Sequence, residues 1–136
     1  MPTTATGNFT VKMTPQTQPE SVPASDSTLG RFLLDKQYSG DLDASSQGQM
    51  LSAGTQEKGS AGYVAIEKVS GTLQGRSGTF VLQHNGIMNR GNPELTIIVV
   101  PDSGTDELTG LAGIMTIARV DSKHCYNFAF TLAAIQ

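Results

Sequence analysis

Apolar and polar residues alternate along most of this chain, and the alternation predicts strands. From Thr4 to Thr14, Phe9, Val11 and Met13 stand against Thr10 and Lys12. Such a period of two marks a strand with one buried face. Thr28 to Leu42 resumes it, with Phe32, Leu34, Tyr38 and Leu42 on one phase and Arg31 and Asp35 on the other. Lys36 falls on the apolar phase; either it reaches a barrel mouth or a bulge turns it outward. Ala44 to Ala53 is a weaker strand. A turn at Gln56-Glu57-Lys58-Gly59 returns the chain alongside Gly62 to Glu67, placing Gly48, Met50 and Ser52 on the face of Glu67, Ala65 and Tyr63.

The clearest pattern runs from Tyr63 to Met88, two alternating runs around Gly75-Arg76-Ser77-Gly78. A strand, a Gly-rich turn and a second strand predict an antiparallel hairpin. Centring the turn on Arg76 and Ser77 sets Leu73 opposite Phe80, Val69 opposite His84 and Glu67 opposite Gly86. Tyr63, Ala65, Glu67, Val69, Leu73, Phe80, Leu82, His84, Gly86 and Met88 then share one face, the richer in large apolar groups, which is assigned to the interior. Two polar groups go inward with it. Glu67 and His84 stand diagonally, about 7–8 Å apart between backbones, within reach of long side chains. Gly86 leaves room above the carboxylate in this register.

Further along, Glu94 to Val100 is β-branched and continuously apolar from Ile97, as in a strand covered on both faces at a subunit contact. Pro101 to Gly110 is an acidic loop with room for one helical turn. Leu111 to Val120 and Tyr126 to Ala134 form a closing hairpin across Asp121-Ser122-Lys123-His124, with Arg119 facing Tyr126, Ile117 facing Phe128 and Met115 facing Phe130. Residues 15–27, broken by Pro15, Pro19 and Pro23, form a long surface loop. Seven to nine strands with short turns and no helical periodicity predict an all-β protein, a single antiparallel barrel or sandwich domain spanning residues 1–136.

Composition sharpens this picture. Only 15% of the 136 residues are charged and 15 are glycine, which favours strands over helices. The net charge of −3 argues against nucleic-acid binding. Gly75-Arg76-Ser77-Gly78 joins strands, whereas the GxxG clamp of an RNA-binding module joins helices. No apolar run approaches the roughly 20 residues that span a bilayer, so no membrane partner is expected. The N-terminus lacks a basic start before an apolar core, and a cytoplasmic location is expected. The single cysteine, Cys125, excludes an internal disulfide. His124 and Cys125 are strand neighbours on opposite faces, and Asp102, Asp106 and Glu107 lack EF-hand spacing, so no metal and no cofactor are expected.

Three stretches carry a family resemblance: KQYSGDL at Lys36 to Leu42, GTLQGRSGTFVLQHNG at Gly71 to Gly86, and VVPDSGTDELTGLAG at Val99 to Gly113. Together they resemble the bacterial domain-of-unknown-function family 3224. The resemblance implies an up-and-down barrel of about eight strands similar to allene oxide cyclase. The family has no established activity, so it assigns no catalytic residues.

The residues themselves suggest a barrel that binds a small, mainly apolar ligand. Its cavity would be lined by Tyr63, Phe80, Leu82, Met88 and Phe128, with Glu67 and His84 as polar anchors. An alternative is an isomerase or cyclase acting on a small unsaturated or enolisable substrate, using Glu67 and His84 as an acid/base pair with Tyr63 donating a hydrogen bond. A third is a structural protein that forms homo-oligomers through outward Val64, Ile66, Val81 and Ile87.

Overall fold

The computed structural model describes residues 3–17 and 29–132. Most of the expected 15–27 loop lies outside the described residues. Eight antiparallel strands follow one another around a closed barrel. They are β1 (Thr3–Pro15), β2 (Leu29–Gly40), β3 (Leu42–Gly54), β4 (Ala61–Leu73), β5 (Arg76–Asn89), β6 (Asn92–Val99), β7 (Ala112–Val120) and β8 (Lys123–Thr131). The single helical piece among the described residues is one 3-10 turn, Asp106–Leu108, in the acidic loop.

The expected faces hold, but two registers shift. In the central hairpin the turn residues are Gln74 and Gly75, with φ of 50° and 86°. A two-residue turn of this kind needs positive φ at both positions, the twist that suits paired strands. Arg76 and Ser77 are already in β5, and the pairing becomes Leu73–Arg76, Val69–Phe80, Glu67–Leu82 and Tyr63–Gly86. The partner of Glu67 thus moves four residues along β5, an even step that preserves every inward side chain. The closing hairpin tightens in the same way: Asp121 and Ser122 carry φ of 51° and 67°. Arg119 faces His124, Ile117 faces Tyr126, and Met115 faces Phe128 rather than Phe130. The β3–β4 register is as expected, with Gly48 on Glu67, Met50 on Ala65 and Ser52 on Tyr63.

The run from Thr28 to Leu42 is two strands rather than one. Gly40 has a φ of 103° and Asp41 turns the chain, so Leu42 opens β3. The Tyr126 hydroxyl holds this corner, accepting from the Leu42 amide (2.9 Å) and donating to the Ser39 carbonyl (2.8 Å). The strand expected to be covered on both faces is covered on one. Ile97 is buried, whereas Ile98 on the outer face is 37% exposed.

The interior is filled from one end only. At the end that carries the Asp41 and Gln74–Gly75 turns, Leu42, Leu73, Phe80, Leu82, Val99, Phe128 and Phe130 pack together. The acidic loop closes this end by inserting Leu108, and Leu111 just after it, into the same cluster. It also continues the sheet after β6 stops. Val100 and Thr105 donate their amides to the carbonyls of Val81 and Thr79 on β5, and Thr79 and Val81 donate back to the Thr105 and Ser103 hydroxyls. Glu107 accepts from the Ser77 amide at 3.0 Å. The loop therefore satisfies a sheet edge that β6 leaves open. Toward the opposite end, burial fades along every wall. Phe32, Met50, Ser52, Tyr63 and Leu95 are half-buried, and Met88 is exposed.

Candidate functional site

At the boundary between the filled and open halves, the interior carries a layer of charge. Alternation along β4 aims Glu67 inward, and the side chain is fully buried. Gly48, directly opposite on β3, makes this possible: a Cβ there would strike the Ile66 carbonyl and the Glu67 backbone. Four donors converge on the carboxylate. Oε1 accepts from the Tyr38 hydroxyl at 2.5 Å and the Ser46 hydroxyl at 2.8 Å. Oε2 accepts from Lys36 Nζ at 2.7 Å and His84 Nε2 at 2.6 Å. A carboxylate offers about four lone-pair sites, so Glu67 is saturated. Among the described residues no buried side-chain nitrogen or oxygen lacks a partner.

Lys36 is the residue whose placement the sequence left open. No bulge turns it outward: β2 stays in register, with Lys36 opposite Val11 and Ser46. Its ammonium also lies 5.1 Å from the centre of the Phe9 ring and 5.9 Å from that of Tyr38, within cation–π range. Burial pushes the Glu67 carboxyl up, but the His84 hydrogen bond, the Lys36 and His84 charges and the Lys36 hydrogen bond outweigh it and hold the group down at about 2. Burial, followed by the adjacent Glu67 charge, pushes the Tyr38 hydroxyl far above the ordinary tyrosine range. The same two causes raise Tyr63.

His84 links this layer to the open half. The carboxylate can only accept, so Nε2 carries the hydrogen that faces it. On the other side of the ring, Nδ1 lies 3.4 Å from the Tyr63 hydroxyl. Tyr63 sits against Gly86, where any Cβ would collide with its ring. The glycine expected to leave space above the carboxylate leaves it for the tyrosine instead. Beyond Tyr63 the barrel opens into a cavity of about 490 Å³ lined by Met50, Ser52, Tyr63, Gly86, Met88 and Leu95, among others. The walls are almost wholly apolar.

The seven expected ligand-contacting residues therefore divide. Tyr63 and Met88 line the cavity. Glu67 and His84 come together behind it, on the opposite diagonal from the expected one. Phe80, Leu82 and Phe128 do not line it; they belong to the filled half, where Phe80 and Phe128 stack at 5.9 Å. Sequence reasoning missed Tyr38 and Ser46 as partners of Glu67 and Ser52 as a wall of the cavity. The inward phases of β2 and β3 carried the signal for all three. Among the described residues no group of three potential metal ligands converges.

A chain of this length and pattern has counterparts. The profile of the family described as "Protein of unknown function (DUF3224)" matches residues 5–130. The chain belongs to the DUF3224 family. A crystal structure of another DUF3224 protein of unknown function, from Shewanella oneidensis MR-1, superimposes with a TM-score of 0.92 at 50% identity. That match covers 99% of this chain and 100% of the other. No curated protein matches. The eight-stranded barrel expected from the resemblance is thus the fold of this DUF3224 member.

Proposed function

We propose that this DUF3224 barrel binds a small, mainly apolar molecule in the cavity of its open half. The supporting observation is the contrast between the two halves of one interior: hydrocarbon fills one end, while the other holds about 490 Å³ of apolar-walled space lined in part by Tyr63. That volume falls in the range of about 300–1,000 Å³ typical of small-molecule sites. The buried charges behind Tyr63 form a rigid floor.

A proton-transfer role for Glu67 gains less support. A general base works best with a pKa near the operating pH and a free lone pair aimed at substrate. Glu67 sits at about 2 with four donors on its two oxygens. The outward strand positions also suit a protein in water. Asp35, Gln47, Gln49, Lys68, Gln83 and Asn85 interrupt any apolar band of the kind a lipid-facing barrel carries. A cytoplasmic location agrees with them.

The test is uptake of Nile red, an uncharged apolar dye whose emission rises in dry surroundings. The wild-type protein is expected to bind it at one site per chain. Leu95→Trp, which fills the cavity, is expected to abolish uptake while circular dichroism and melting temperature stay unchanged. Equal uptake by both proteins, or none by the wild type, would overturn the proposal.

A further inference from the structure

The outer wall of the barrel carries a ridge with a trough beside it. Leu51, Val64 and Asn85 stand in one row across β3, β4 and β5. Leu51 is 55% exposed and Val64 50%. The row borders two open grooves, of about 630 and 360 Å³. The larger follows the neighbouring row of Gln49, Ile66 and Gln83. The smaller follows the row on the other side, Ala53, Gly62 and Ile87. Alanine and glycine make this second groove a trough. A Cβ on Gly62 would meet nothing closer than the Ile87 Cδ1 at 3.5 Å. Ridge and trough lie two residues apart along each strand, about 7 Å.

The same wall is almost free of charge. Its outward positions over 45–53 of β3, 62–70 of β4 and 77–87 of β5 hold amides, hydroxyls and apolar groups, and Lys68 alone among them is charged. A surface that meets its own copy has reason to look like this. Near a two-fold axis each group faces itself or a close neighbour, so like charges would repel. An amide carries both donor and acceptor and can match its copy. A partner of different sequence imposes no such restriction. We infer that the outer face of β3–β5 pairs with a second copy of this chain, Leu51 and Val64 of each seating in the Ala53–Gly62 trough of the other. A two-fold axis running across the strands, midway between ridge and trough, seats both copies at once. It also keeps Lys68, two rows beyond the ridge, far from its own copy. Arg31, which borders the larger groove from β2, donates to the Thr17 carbonyl at 3.3 Å. Of the four residues that the sequence offered for self-association, Val64, Ile66 and Ile87 are exposed on this face, whereas Val81 is half-buried.

The size of the face sets the strength expected. Three strands at about 4.8 Å spacing and about nine residues at about 3.4 Å each project to roughly 400 Å², well under the about 800 Å² per partner of a standard interface. The dimer is therefore expected to be weak and reversible, half-formed on the order of 10–100 µM. Sedimentation velocity of the full chain across that range should show monomer giving way to dimer. Val64→Lys sets like charges beside the axis, and Gly62→Leu fills the trough. Each should raise the midpoint concentration by about tenfold or more, with circular dichroism unchanged. Ile114→Lys replaces an apolar residue that is 56% exposed on β7, outside this face, and should leave the midpoint where it was. A wild type that stays monomeric throughout would overturn the inference. So would a dimer that survives both Val64→Lys and Gly62→Leu, or one that Ile114→Lys weakens equally. No ligand enters the test, so it stands or falls apart from the binding reading.

Discussion

Replacing Glu67 by glutamine isolates the buried charge layer. The substitution keeps shape and volume, so hydrocarbon packing is unchanged. It presents an amide to a site built from donors. The amide oxygen can still accept from Tyr38 and Ser46, but the amide nitrogen then faces Lys36 Nζ and His84 Nε2, both donors, at positions now 2.7 and 2.6 Å from an oxygen. The ammonium, 8% exposed, is left without its counter-charge. Removing one partner of a buried ion pair costs about 3–5 kcal/mol, a large part of the roughly 5–15 kcal/mol that holds a domain folded. With a urea dependence of about 2 kcal/mol per molar, the unfolding midpoint should fall by about 2 M. Tyrosine emission reports the transition well, because the chain has no Trp and all three tyrosines, Tyr38, Tyr63 and Tyr126, face the interior. The double variant Lys36→Met, Glu67→Gln removes both charges and should recover most of the loss. A single variant within about 1 kcal/mol of wild type, or a double variant no better than the single, would refute the claim that the pair is held as a unit.

The same carboxyl predicts a pH response. Its folded pKa of about 2 lies below the ordinary 4.5, so its stabilisation is complete above about 4.5 and is lost as pH falls toward 2. The loss amounts to about 3 kcal/mol; acid titration should show it in wild type and not in the double variant. Gly48→Ala should destabilise by about 1–3 kcal/mol, because the new methyl meets backbone on β4 rather than a yielding side chain; a neutral result in urea would count against the close β3–β4 approach. Ser122→Gly should stabilise by about 0.5 kcal/mol, since serine holds a φ of 67° that glycine adopts freely; a lowered midpoint would contradict the turn geometry.

The faces of this barrel were legible in its sequence because strand parity has a period of two and survives even-numbered shifts. That is why Glu67 and His84 meet despite a displaced register. The registers themselves depend on turn geometry. Gly75-Arg76-Ser77-Gly78 offers two glycines, and only the backbone shows that the first, paired with Gln74, makes the turn. Lys36 was legible as an anomaly on an apolar phase, but its partner lies 31 residues away on a strand that does not adjoin its own. Phe80 and Phe128 looked like cavity walls because burial and lining share the same inward parity. Which half of the interior is filled depends on Leu108 and Leu111, delivered by a loop whose polar sequence hides them.

Closure of the barrel depends on a narrow clasp. The β7–β8 hairpin joins β1 along seven paired positions but meets β6 at only two, Ile97 with Met115 and Ile98 with Ile114. The hairpin is thus hinged firmly on one side and latched lightly on the other. Spontaneous opening should begin at the latch, so the amide protons of Ile98 and Ile114 should exchange with solvent ahead of those between β3 and β4. At high concentration the released hairpin is expected to latch onto the β6 of a second molecule, and sedimentation would detect the resulting dimer of exchanged hairpins.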